Sequence, residues 1–228
     1  MTPRAKTPSD RKSTTVDQAL AWLERNGTKK TIDGMARYGI PSHNAFGVTV
    51  GATKAFAKQI GKDHDLAQAL WNSGWYEARL LAAFVDDPQA VTSKQMDTWA
   101  GAFDSWAICD SVCFHLFDRT PLAWSKVDAW AGARPEFKKR AAFALLWALS
   151  VHDKKAPDAT FLERLPLIER AATDERDYVK KGVDMALRAL GKRSAALRRA
   201  AIAAARRLCA SEAGAAAWIG RSALRELG

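Results

Sequence analysis

From Thr14 onward, apolar positions recur at intervals of three and four residues, the spacing that places them on one face of an α-helix, and this periodicity runs almost unbroken to the C-terminus. Strand-like alternation is missing, as are Asn-Gly or Asp-Gly turns between β-rich runs. Asn26-Gly27 lies between two helical patterns and reads as a helix end. The pattern predicts helices over 14–25, 28–38, 49–60, 63–73, 75–86, 92–101, 104–117, 121–131, 135–151, 160–172, 174–190, 193–209 and 212–226. The breaks suit helix ends. Thr92-Ser93 and Thr173-Asp174 offer N-caps, Asp86-Asp87-Pro88 and Thr120-Pro121 put a proline at a restart, and Gly39, Gly61 and Gly191 stand as C-terminal glycines.

Loops of about 2 to 8 residues make successive helices antiparallel neighbours. Pairs of about 35 residues fit an α-solenoid. No strict repeat shows in the letters, and an irregular all-α bundle fits the periodicity as well. Residues 1–13 carry Arg4, Lys6, Arg11 and Lys12 among Pro, Ser and Thr. They read as a flexible basic tail, followed by a single helical domain over 14–228.

Composition narrows the function. The chain has 228 residues, 48% of them apolar and 26% charged, enough to bury a sizeable core. No apolar run reaches the roughly 18 residues of a membrane span. Met1-Thr2-Pro3-Arg4 opens no apolar signal segment, and three cysteines, Cys109, Cys113 and Cys209, are too few for a disulfide framework. The expected compartment is the cytoplasm. A surplus of 35 basic over 25 acidic residues gives a net charge of +10 and points to a polyanionic partner, nucleic acid first.

The charge is concentrated. Between Tyr178 and Cys209 lie nine basic residues, Lys180, Lys181, Arg188, Lys192, Arg193, Arg198, Arg199, Arg206 and Arg207, with Asp184 the single acid. Two helices so biased would form an electropositive strip suited to phosphates, or a solvated face over Ala-rich contacts. Lys54 and Lys58, four residues apart, share a face near the other end of the chain. A membrane-surface helix would carry Trp or Phe opposite its charges, whereas these segments are Ala/Leu-rich and Trp218 lies outside them.

The run from Phe103 to Phe117 is apolar on nearly every side. Phe103, Trp106, Asp110, Cys113 or Phe114, and Phe117 fall along one stripe, and Ile108, Val112 and Leu116 along another. Asp110 therefore has little water-facing surface. An acid in that setting is paired, protonated or functional. Trp106 lies one turn before it on the same face. A carboxylate beside an indole ring suits a cationic substrate, while an ion pair with an arginine of the next helix pair is the structural alternative. Cys109, Cys113 and His115 lack a fourth ligand and a Cys-x-x-Cys pair, so the cysteines read as small buried hydrophobes and no metal is expected. No Ser-His-Asp order, phosphate-binding glycine loop or His-Glu-x-x-His is present.

Taken in order, these segments resemble the HEAT-like-repeat DNA glycosylases, the DNA alkylation repair enzymes. The resemblance runs from about Tyr38 to Ser211. It rests on Phe46-Gly47-Val48, Ala55-Phe56-Ala57-Lys58, Leu70-Trp71, Tyr76-Glu77-Ala78-Arg79-Leu80-Leu81-Ala82, Met96, Trp99, Ser105-Trp106-Ala107-Ile108-Cys109-Asp110, Lys139-Arg140-Ala141-Ala142, Asp174, and Lys180-Lys181 through Met185-Ala186-Leu187-Arg188. It implies an all-α solenoid of HEAT-like antiparallel helix pairs, with duplex DNA held in a concave basic groove. The implied activity is hydrolysis of the N-glycosidic bond of purines alkylated at N3 or N7, by a monomer that needs no cofactor.

By resemblance, the catalytic acid maps to Asp110, a cleft tryptophan to Trp106, and a DNA-contacting arginine to Arg140. Lys58, Lys180, Lys181, Arg188, Lys192 and Arg193 are the further candidates for DNA contact. One position departs from the family. Met185 stands where a second cleft tryptophan is expected, so the cleft keeps an apolar, polarisable wall without an aromatic face. That leaves a glycosylase, or a relative that binds DNA structure without cutting it. A helical scaffold for protein partners would not need the basic strip.

Overall fold

The computed structural model describes residues 13–228; the basic tail expected over 1–13 lies outside them but for Ser13. Among the described residues there are fourteen α-helices and no strand. They are α1 (Val16–Asn26), α2 (Lys29–Met35), α3 (Val50–Ile60), α4 (His64–Asn72), α5 (Tyr76–Val85), α6 (Ser93–Gly101), α7 (Trp106–His115), α8 (Ala123–Trp130), α9 (Glu136–His152), α10 (Asp158–Leu162), α11 (Leu165–Ala171), α12 (Asp177–Arg193), α13 (Ala195–Cys209) and α14 (Gly214–Leu227).

Each predicted span holds helix, and side-chain caps explain many of the ends, Thr92 among them as expected. Thr15, Thr49, Asp63, Thr92, Ser105 and Ser194 each accept a backbone N–H of the first turn. Gly61 closes α3 at φ +89, a left-handed conformation that only glycine adopts without strain. Three expectations fail for physical reasons. The segment 160–172 breaks into α10 and α11, because Pro166 has no N–H for the Leu162 carbonyl and its ring would collide with it. Asp174 does not cap α12. Its carboxylate is taken by Arg176 and by Lys139 at 2.9 Å, so the helix starts three residues later. Gly191 lies inside α12, where a Cβ would meet Leu227 at 2.4 Å, so its role is close helix contact.

The chain forms two compact units: the described residues to Arg37 with Ser42–Asp86, and Tyr38–Pro41 with Asp87–Gly228. The periodicity shows no such division. In the first unit α5 contacts α1, α3 and α4. Its fully buried Glu77 explains the Phe46-Gly47-Val48 element: the carboxylate accepts backbone N–H groups from Phe46 (2.8 Å), Gly47 (2.7 Å) and Val48 (3.1 Å). A buried charge is tolerable when it is hydrogen-bonded in this way.

In the second unit α7, α9, α12 and α14 form a row in which each contacts the next, while α8 lies against α9, and α10, α11 and α13 lie together behind α12. This two-layer stacking of antiparallel pairs is what a helical solenoid requires. Of the two helices that carry the basic segments, α12 stands in the row with α7 and α9, and α13 contacts α10, α11, α12 and α14.

Candidate functional site

Asp110 and Arg140 meet across α7 and α9. Arg140 Nε donates to Asp110 Oδ1 at 2.8 Å and Nη2 to Oδ2 at 2.6 Å, a two-pronged fork, while Nη1 donates to the Tyr178 carbonyl at 2.7 Å. One guanidinium thus ties three successive helices of the row. The fit depends on Gly182 of α12, where a Cβ would come within 3.2 Å of Arg140 Cγ. The Asp110 side chain is 13% exposed and that of Arg140 6%, so the carboxylate is the more accessible end of the pair. Burial pushes the Asp110 pKa above the usual aspartate value, against the pull of the Arg140 guanidinium. The fork occupies one lone pair on each oxygen, leaving the others for a water or a substrate cation.

Trp106, the first residue of α7, lies one turn from Asp110 on the same face. Its indole N–H donates to the Tyr38 carbonyl at 2.8 Å, which fixes the ring. Behind the pair, Cys109 and Cys113 are buried with their thiols toward the Phe137 and Ala141 carbonyls of α9. Burial pushes both thiols up, so they serve as small apolar residues. Among the described residues no group of three or more His, Cys, Asp or Glu could hold a metal ion.

The ion pair with an arginine of the next helix pair, left open by the sequence, is present, and the arginine is one of the predicted site residues. Arg140 is 5% exposed, with its guanidinium bonded to Asp110 and Tyr178. Arg193 is likewise held inside, donating to the carbonyls of Ser150 (2.9 Å), Asp153 (2.7 Å) and Ala156 (2.7 Å) and lying over the Phe161 ring. The remaining α12 cations meet acids of α12 and α14, and Arg188 Nε donates to Asp184 at 3.0 Å. Lys180 pairs with Asp177 at 2.7 Å, Lys181 lies 3.8 Å from it, and Arg188 and Lys192 both reach Glu226 of α14. Lys181 and Lys192 stay exposed. Lys58 is exposed on α3 in the other unit. On α13, Arg198, Arg199 and Arg206 are exposed.

Met185 lines an open cleft of about 870 Å³ between α9, α12 and the 153–158 loop. Trp147 of α9 lines the same cleft, and the sequence leaves it among tryptophans of unassigned role. Its helical spacing looks like that of Trp99 and Trp130, both 1% exposed and part of the core.

The family model for the DNA alkylation repair enzyme matches residues 19–227. The chain belongs to that family. Its fold is also that of a solved structure at 22% identity and a TM-score of 0.76, covering 84% of this chain and 82% of the other. That structure is described as belonging to a new family of proteins related to the HEAT-like repeat DNA glycosylases with affinity for branched DNA structures. No curated protein matches the chain. Among the described residues no helix is long and apolar enough to cross a membrane.

Proposed function

We propose that the protein is a DNA glycosylase that hydrolyses the N-glycosidic bond of cationic N3- or N7-alkylated purines in duplex DNA. The observation that carries this reading is the Asp110 carboxylate, aimed and partly exposed by the Arg140 fork and flanked by the fixed Trp106 ring. An alkylated purine already carries positive charge, so it leaves without a general acid. The C1′–N bond breaks with its electron pair passing to the base, whose charge is cancelled, and the sugar becomes cation-like. Asp110 stabilises that cation and takes the proton that the water gives up as its oxygen bonds to C1′, passing it on to solvent. Trp106 presents its ring to the cationic base or sugar. Arg140 acts as a positioning residue. Lys58, Lys180, Lys181, Arg188 and Lys192 supply phosphate contacts, and Arg193 holds the loop beside them.

The test is base release from methylated duplex DNA by wild type and Asp110→Asn, with duplex binding and thermal unfolding measured on both. Release by wild type, lost by at least a hundredfold in a folded, DNA-binding variant, is the expected result. Equal release by the two would overturn the role of Asp110. A second reading is favoured by Met185: binding of DNA structure without excision. Absence of release from either protein, with tight salt-dependent binding by both, would establish it. In that case Met185→Trp should give a measurable gain of excision if the missing ring alone limits activity.

A further inference from the structure

We propose that the cleft beside Met185 is a subsite for one unpaired nucleotide of the bound DNA, with Trp147 as the surface on which its base stacks. This rests on the reading that the protein binds DNA, and it adds a recess that neither the motifs nor the Asp110 site requires. At about 870 Å³ the cleft falls in the range of roughly 300–1,000 Å³ that accommodates small-molecule ligands. Trp147, Val151, Met185 and Ala189 give it an apolar wall on two adjacent helices. Trp147 is half-buried, so part of its ring faces the opening.

The ring is held in place. Phe114 of α7 lies against it at 4.5 Å between centroids, and Phe114 is braced by His152 at 4.4 Å, whose Nδ1 lies 2.5 Å from buried Asp118. A preset aromatic surface loses little freedom on binding, and every nucleobase has a face that can stack on it. Phe114 is also one turn from Asp110 on α7, which puts the recess next to the proposed reaction centre along the same helix face.

The chemistry at the rim selects for a nucleotide over a neutral apolar ligand. Lys154 and Lys155 are exposed on the loop beside the cleft, Lys192, paired with Glu226, stands on α12, and the one acid of the lining, Asp158, is held by Ser194 Oγ at 2.5 Å and lies 4.0 Å from Arg193. Arg193 clamps that loop through the Asp153 and Ala156 carbonyls and ties it to α9 through that of Ser150, so the lysines are carried on a fixed support. Apolar walls with an aromatic surface inside and ammonium groups at the mouth match a base inside and phosphates outside. Trp147 thereby supplies, from α9, the ring that position 185 of α12 lacks.

The experiment compares the full chain on a continuous duplex and on the same duplex carrying a single-nucleotide bulge of 2-aminopurine, whose fluorescence falls when it stacks. Wild type should bind the bulged duplex more tightly and quench the probe. Trp147→Leu should lose about tenfold in affinity for the bulged duplex, quench little, and bind the continuous duplex unchanged, while Trp147→Phe should retain most of both signals. Lys154→Ala/Lys155→Ala, on an exposed loop, tests the site without touching the core and should weaken bulge binding while leaving the melting temperature unchanged. Undiminished preference and quenching in Trp147→Leu, or in the double lysine variant a loss equal on both duplexes, would overturn the subsite while leaving DNA binding intact. No binding of wild type to the continuous duplex would instead overturn the DNA reading, and the subsite with it.

Discussion

Asp97 and Asp110 are both acids held by cations in the second unit, yet folding treats them in opposite ways. Asp97 on α6 is hydrogen-bonded by Lys126 Nζ at 2.6 Å and Trp130 Nε1 at 2.8 Å, with Lys138 at 3.1 Å, and its side chain is 44% exposed. Partial burial pushes its carboxyl up, but those three donors outweigh it and hold the pKa at about 2. Asp110 has a better-shaped partner, the bidentate Arg140, and still titrates above the ordinary value because burial prevails. Asp97 is charged to the benefit of the fold: it pins α6 to α8 and α9. The anion at Asp110 is retained at a cost to stability. A group that folding alone would not choose to ionise, next to a fixed aromatic ring, is a candidate for function.

The comparison is broken most directly by removing the cations. Arg140→Ala leaves a carboxylate in low-dielectric surroundings and frees the Tyr178 carbonyl, and it is expected to cost about 3–5 kcal/mol of unfolding free energy. Lys126→Met at Asp97 leaves a carboxylate that reaches water and keeps Trp130 and Lys138, and it is expected to cost no more than about 1 kcal/mol. Urea unfolding of the two variants measures the difference. Equal losses would show that the exposure difference between the two acids does not govern their energetics.

A smaller effect sharpens the same point. Gly182→Val puts two methyl groups beyond a Cβ that would already lie 3.2 Å from Arg140 Cγ, with helix backbone behind it. Displacing the guanidinium stem is expected to cost about 1–3 kcal/mol. In an Arg140→Ala background the same substitution should cost little, because the atom it strikes is gone. That non-additivity, measured by a double-mutant cycle, separates a specific clash from a general loss of helix contact.

Helix content and order were legible in the sequence, because a 3.6-residue period over a dozen segments leaves little choice of element. The setting of the candidate pair was legible for a related reason: Trp106 and Asp110 lie one turn apart on a helix with almost no polar face. What the letters hid is long-range pairing. Glu226 of α14 meets both Arg188 and Lys192, while Asp177, one residue before the window 178–209, meets Lys180 locally within the first turn of α12. Arg140 looked like a surface contact and is a buried clamp, since nothing in Lys139-Arg140-Ala141 tells which neighbour turns inward. Trp147 was hidden because a tryptophan facing a cleft has the same spacing as one in the core.

The finest distinction between the two acids is the sign of their pH dependence. Asp97 titrates near 2 when folded and near 3.8 when unfolded, so its contribution is fully present above pH 3.8 and is lost as the pH falls toward 2. Asp110 runs the other way. Its folded pKa lies above 3.8, so the folded state keeps a proton that the unfolded chain has released, and stability declines as the pH rises from 3.8 through the folded value. Asp97→Asn should therefore flatten the melting-temperature profile on the acid side of pH 4, and Asp110→Asn on the neutral side. Each shift should be small, at most a few degrees for a domain of this size. The slopes should move at opposite ends of the profile. If both substitutions flattened the acid limb, Asp110 would be an ordinary stabilising ion pair, and the case for a carboxylate kept charged for catalysis would lose its energetic support.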